Sequence, residues 1–158
     1  MSTHPLRTAD QAALVTLTAI GSLLGHHGGD YLVQTDTCAA HKQDRTPAGR
    51  RALAIHAGTY ALTQAVTKAA LYRLAGLRVP AAAQLAGALT EALVHAVIDD
   101  GRLLEVYARR TRRSRFFGLA GAGINGKALL DQAAHVQVQI PAGIAATAAV
   151  AALAARRR

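Results

Sequence analysis

Four apolar, alanine-rich stretches of this chain each carry a histidine four residues from an aspartate or a tyrosine: His26 with Asp30, His56 with Tyr60, His95 with Asp99, and Asp131 with His135. That spacing stacks both side chains on one face of an α-helix. The order of the pairs adds a topological constraint. Histidine comes first in the first and third stretches and last in the fourth, which runs antiparallel to them in an up-and-down bundle. Reversed order cancels reversed direction. The expectation is a layer of His26, His95 and His135 beside a layer of Asp30, Asp99 and Asp131 about one turn (~6 Å) away, with His56 joining either.

Composition agrees with helices. Hydrophobic residues make up 51% of the chain, much of it alanine, while aromatics are 4% and tryptophan is absent; alanine and leucine favour helices, and β-branched and aromatic residues favour sheets. The pattern predicts one all-α domain over residues 1–158. Its helices run from about residue 9 to 34, 51 to 75, 81 to 109 and 127 to 155, joined by basic loops at about 36–51 and 107–127. Pro80 suits the start of the third helix, and Pro141 is expected to kink the fourth. The single cysteine, Cys38, has no internal partner, and MSTHPLRTAD at the N-terminus lacks the form of a signal peptide. The chain is expected to stay where it is made.

The net charge of +9 is concentrated in those two loops and a terminal RRR. Residues 136–155 are long enough to span hydrocarbon, and 52–77 and 81–98 approach the required ~20 residues. Gln64, Lys68, Gln84 and Glu91 fall within these spans, where an ionisable group must face the interior. A soluble alanine-rich bundle has the same appearance, so a cytoplasmic membrane protein and a soluble cytoplasmic one both remain. If inserted, the basic loops place the site end on the cytoplasmic side.

Clustered imidazoles and carboxylates on several helices are what a divalent transition metal such as zinc, manganese or iron requires. His26, Asp30, His56, His95, Asp99, Asp131 and His135 are the candidate ligands, with Gln34, Tyr60 and Gln132 as partners orienting them. A metal-free polar network and separate surface pairs are the alternatives. His27 has no equivalent in the other pairs, and His4 and His41 read as solvent-exposed.

The strings H-x-x-G-D-Y-x-x-Q-T at 26–35, Lys42, H-x-x-x-Y at 56–60, H-x-x-x-D at 95–99 and D-Q-x-x-H at 131–135 resemble an uncharacterised family of small bacterial and phage proteins designated domain of unknown function 3307. The resemblance covers most of the chain and implies a multi-helix membrane protein, with no activity attached. This sequence departs from the family in being less hydrophobic and in reading IDDGR after the third motif, which makes Asp100 an alternative to Asp99. A looser analogy links it to small membrane-embedded metal-dependent hydrolases.

Two functional classes follow. One is a metal-dependent hydrolase of an anionic phosphoester or lipid-like substrate, with Glu91 or Asp30 accepting a proton from the metal-bound water. The other is a non-catalytic helical protein whose cluster is structural and whose loops bind anionic lipid, nucleic acid or a protein partner. In either, Arg109, Arg110, Arg112, Arg113 and Arg115 are the expected anion-binding residues. GAGING at 121–126 matches G-x-G-x-x-G but has no preceding strand, so a flexible loop is expected there.

Overall fold

The computed structural model describes residues 8–157. His4 and the rest of residues 1–7 of the N-terminal segment read above lie outside them. The chain is all-α apart from one tiny hairpin. Helix α1 (Thr8–His27) continues through a π-helical turn (Gly28–Val33), and the short α2 (Asp36–His41) starts at the Thr35 cap. Helix α3 (Pro47–Leu74) begins at the Thr46 cap with proline in its first turn, an arrangement that satisfies orphan amides and forfeits none. Helix α4 (Ala81–Asp99) is followed by α5 (Arg102–Arg110), α6 (Ser114–Phe117), strands β1 (Ala120–Gly121) and β2 (Ile124–Asn125), and α7 (Gly126–Ala134). A second π-helical turn (His135–Gln139) leads into α8 (Ile140–Arg156).

Two boundaries differ from the expectation. The third helix stops at Asp99 and not near Arg109, because Gly101 takes a left-handed φ of +76° and redirects the chain into α5. Pro141, expected inside one continuous fourth helix, falls at a change of helix type. The π-helical turn just before it lets the proline occupy the first turn of α8, where its missing N–H displaces no hydrogen bond. GAGING forms the tip of the β1–β2 hairpin.

The long helices pack in a ring: α1 on α3, α3 on α4, α4 on α8 and α8 on α1. Close approach of α1 to α3 depends on three glycines four residues apart. A Cβ on Gly21 would meet Lys68, one on Gly25 would stand 2.7 Å from the Gln64 Cα, and one on Gly29 would stand 2.6 Å from the Tyr60 ring. Across the ring, Gly87 meets Thr147 and Gly143 meets Glu91. The same four-residue step repeats on every long helix and stacks the interior in layers ~6 Å apart.

At one end Leu14, Tyr72, Ala83 and Ala151 form an apolar plug. Above it come Thr18, Lys68 and Thr147, then Ser22, Gln64 and Glu91, then His26, Tyr60, His95 and Gln139, and finally His56, Asp99 and His135, all buried. The outside is the converse. Leu24, Leu62, Val66, Leu85, Leu89, Leu93, Val138 and Leu153 are each more than half exposed. Among the described residues, two helical stretches, Ala81–Asp99 and Gly126–Arg156, are long and apolar enough to cross a membrane. The α3 segment expected near that length is not one of them.

Gly25→Ala is expected to destabilise the fold by about 1–3 kcal/mol, because its new methyl meets the α3 backbone and not a mobile side-chain tip. Gly58→Ala, in a helix interior with nothing within 4 Å of the added Cβ, should instead stabilise by about 0.5–1 kcal/mol. Thermal denaturation of the two variants beside the parent reads the opposite signs.

Candidate metal centre

At the loop end of the helices five side chains from four elements come together in two groups of three that share His95. The π-helical turn after α1 brings Asp30, α3 brings His56, α4 brings His95 and Asp99, and the π-helical turn before α8 brings His135. His56 Nε2 lies 3.0 Å from His95 Nε2, 3.0 Å from Asp99 Oδ2 and 3.4 Å from Asp30 Oδ1. His95 Nε2 is 3.0 Å from Asp99 Oδ2 and 4.0 Å from Asp30 Oδ1, while His135 Nε2 is 3.7 Å from Asp99 Oδ1. Ligand atoms held about 2.0–2.2 Å from a tetrahedral cation are about 3.3–3.6 Å from one another. The observed separations bracket that value.

The protonation pattern follows from one carboxylate. Asp30 Oδ2 accepts from Gln132 Nε2 (3.1 Å), so Gln132 turns its Oε1 to His26 Nε2 (2.8 Å), which must donate. His26 Nδ1 is then an acceptor for the Tyr60 hydroxyl (3.1 Å). That hydroxyl oxygen in turn accepts from Gln64 (2.9 Å) and Gln139 (2.7 Å). With its amide nitrogen so used, Gln139 presents Oε1 to His95 Nδ1 (3.2 Å), and His95 Nε2 is left as a bare lone pair facing Asp30 Oδ1. His135 reaches the same tautomer by donating from Nδ1 to the Asp131 carbonyl (2.8 Å). Orienting partners of this kind are what prepare imidazoles to bind metal.

Three atoms at the centre, Asp30 Oδ1, Asp99 Oδ2 and His135 Nε2, are buried with no hydrogen-bond partner. Buried polar atoms are almost always satisfied, so a set of orphans pointing inward marks where a cation fits. Asp30 lies past the end of α1; burial pushes its carboxyl up, but the nearby imidazoles of His56 and His95 and the Gln132 amide together hold it down at about 2.

The expected residues separate by position. Two groups, Asp30 with His56 and His95, and His95 with Asp99 and His135, have ligand geometry. His26 stacks on His135, ring centroids 5.2 Å apart, but both its nitrogens are engaged by Tyr60 and Gln132. The His135 ring lies 4.6 Å from that of His95 and 5.2 Å from that of His26, its Nε2 also approaches Asp99 Oδ1 at 3.7 Å, and Gln139 takes the other side of His95 at Nδ1. Asp131 sits at the rim behind His135, its Oδ2 3.5 Å from Nδ1. Gln34 accepts from Lys42 (3.2 Å). Asp100 points outward and pairs with Arg102. Glu91 lies below the Tyr60 layer, where Ser22 (2.6 Å) and Lys68 engage its two oxygens. Arg109, Arg110, Arg112, Arg113 and Arg115 are exposed, and Arg109 pairs with Glu105 at 3.3 Å. His27 is exposed and stacks on Tyr31, and His41 pairs with Asp44 at 2.8 Å.

The sequence reading left Lys42 and Gln139 without roles. Lys42 Nζ is 2.9 Å from Asp99 Oδ1 and 3.5 Å from His56 Nε2. The four-residue step from His135 to Gln139, matching that from His95 to Asp99, was the available signal for the glutamine.

A family model described as "Protein of unknown function (DUF3307)" matches residues 18–156, and the chain belongs to that family. Comparison with curated proteins and with solved structures gave no match.

Nitrogen-15 spectra of labelled histidine should show His95 and His135 protonated at Nδ1 with Nε2 bare, and His26 protonated at Nε2. In Gln139→Leu the His95 pattern should be lost while His135 keeps its own, because only His95 depends on that amide.

Proposed function

We propose that the chain is a membrane-embedded, up-and-down four-helix bundle that binds one divalent transition metal and hydrolyses an anionic phosphoester or lipid-like substrate. The observation that carries this reading is the clustering of Asp30, His56, His95, Asp99 and His135 as two triads that share His95, with three of their buried atoms unpartnered. Formal charge agrees with a single cation. Asp30, Asp99 and Asp131 contribute three negative charges and Lys42 one positive, so one divalent ion closes the balance with the histidines neutral.

Membrane insertion through α1, α3, α4 and α7–α8 is supported by the inverted surface, with polar layers inside and leucine and valine outside. Thr59, Thr63 and Thr67 bond back to carbonyls of their own helix, so those hydroxyls need no water. The arginine-rich segment at 109–115 then meets anionic headgroups, and the site end faces the cytoplasm.

A cleft of about 300 Å³, lined by Asp30, Lys42, Asp131 and Gln132 among others, opens beside the centre at Asp30. A closed, fully satisfied cluster would serve only as a staple; a cleft at the ligands favours chemistry. When bound, the metal supplies a water activated near neutral pH. Asp131, which lines the cleft and has one buried oxygen without a partner, accepts the proton. In hydrolysis the water oxygen bonds to phosphorus, the ester P–O bond breaks, and the leaving alkoxide takes up the proton that Asp131 accepted. Glu91 is excluded from that role in this reading by its pairing with Lys68.

Protein extracted from washed membranes with detergent should carry one zinc, manganese or iron per chain by elemental analysis. Chelation should lower its Tm, and Asp99→Asn should lose the metal. A chain released into the aqueous fraction by high salt contradicts insertion. Metal-free protein that takes up none of the three ions, with a Tm indifferent to chelator, contradicts the centre.

A further inference from the structure

The wall of the cleft opposite the metal ligands offers hydrogen-bond donors. Lys42 projects from the end of α2 with only 13% of its side chain exposed, its ammonium bridging Asp99 Oδ1 and Gln34 Oε1. Lys127, at the start of α7, lines the same cleft and donates to Gln43 Oε1, which leaves the Gln43 Nε2 hydrogens free to point outward. Asn125 uses its Oδ1 to cap the Ala128 amide, so its Nδ2 is likewise a donor. Two carboxylates also line the cleft, each with one oxygen against an imidazole: Asp30 Oδ1 lies 3.4 Å from His56 and Asp131 Oδ2 3.5 Å from His135.

Gln43 and Lys127 also form part of an adjoining cleft of about 250 Å³, which contains Arg45, Arg102 and the Phe117 ring. Gln43 can stand there because Gly101 has no side chain; a Cβ at that position would come within 3.1 Å of the Gln43 amide. The five arginines at 109–115 line neither cleft.

We propose that this cleft binds a phosphate monoester, its dianionic oxygens held by Lys42 and Lys127 and its alcohol portion lying in the adjoining cleft along Phe117. Two ammonium groups and two amide donors match an oxyanion that carries more than one charge, whereas a carboxylate would leave donors unpaired. Placement of the phosphate over the ligands, and hence its hydrolysis, rests on the metal reading given above. Binding of the phosphate itself rests on the donors.

Inorganic phosphate titrated calorimetrically into the detergent-extracted protein tests the site, with metal content measured on the same samples. Lys42→Met and Lys127→Met should each weaken phosphate about tenfold or more, since each removes one charge-assisted contact. Lys127 touches no metal ligand, so Lys127→Met should keep its metal. Replacement of all five arginines at 109–115 by Gln should leave phosphate affinity within about twofold. Glycerol phosphate and phosphatidic acid in micelles, run as parallel arms, separate a soluble ester from a lipid headgroup; tighter binding of either than of inorganic phosphate supports the proposal. Phosphate that binds the parent and Lys127→Met equally, or fails to bind a metal-loaded parent, overturns it and leaves the metal reading intact. Lysine-dependent phosphate binding in a protein devoid of metal supports the cleft and overturns the metal reading alone.

Discussion

The two oxygens of Asp30 face different things, and the polarity of the whole centre follows from that division. Oδ2 can only accept, so Gln132 must donate to it, and each next group in turn has its direction fixed: His26 donates to Gln132, Tyr60 to His26, Gln139 to Tyr60 and His95 to Gln139. The chain closes where His95 Nε2 returns to Asp30 Oδ1. It runs through both π-helical turns and the interiors of α1, α3, α4 and α7. A buried network of this kind orders the groups it connects only when every member is satisfied. Here the satisfied part encloses an unsatisfied one, a cavity-facing set of lone pairs with the donor-to-acceptor balance of a cation site.

Glycine makes the network sterically feasible. Tyr60, Gln64 and Lys68 need room between α1 and α3, and Gly29, Gly25 and Gly21 provide it at the matching positions of the antiparallel partner. Stability then comes less from an apolar core than usual, since the buried apolar cluster is confined to the end away from the centre. Lys68 and Glu91, bonded to one another between the plug and the histidines, illustrate the rule that interior charges come paired.

How much of this was legible in the sequence depends on whether the information was local. The i,i+4 pairs placed His26, His56, His95, Asp99 and Asp30 together on helical faces, because stacking within one helix is a local property. The all-α class was readable from alanine and from the absence of strand alternation. Register across helices was not. That Gln139 as well as His135 meets His95 depends on packing of α8 on α4 at Gly143 and Gly87, and on a π-helical turn that no residue type announces. Lys42 had to be brought to Asp99 by the fold of a loop segment, and the break at Gly101 showed only as one glycine inside IDDGR. The arginines were conspicuous as a run, yet a run of exposed charge says little about a cavity; the cleft cations, Lys42 and Lys127, lie in the basic loops but outside that run.

The central claim is that the imidazoles of α3, α4 and the turn before α8 share one cation with Asp30 and Asp99. X-ray absorption at the edge of the metal in the purified protein tests it most directly. The account predicts a first shell of mixed nitrogen and oxygen at about 2.0–2.2 Å, with the outer-shell scattering of two or three imidazole rings. A first shell of oxygen alone, with no imidazole scattering, would place the metal elsewhere on the protein and contradict it.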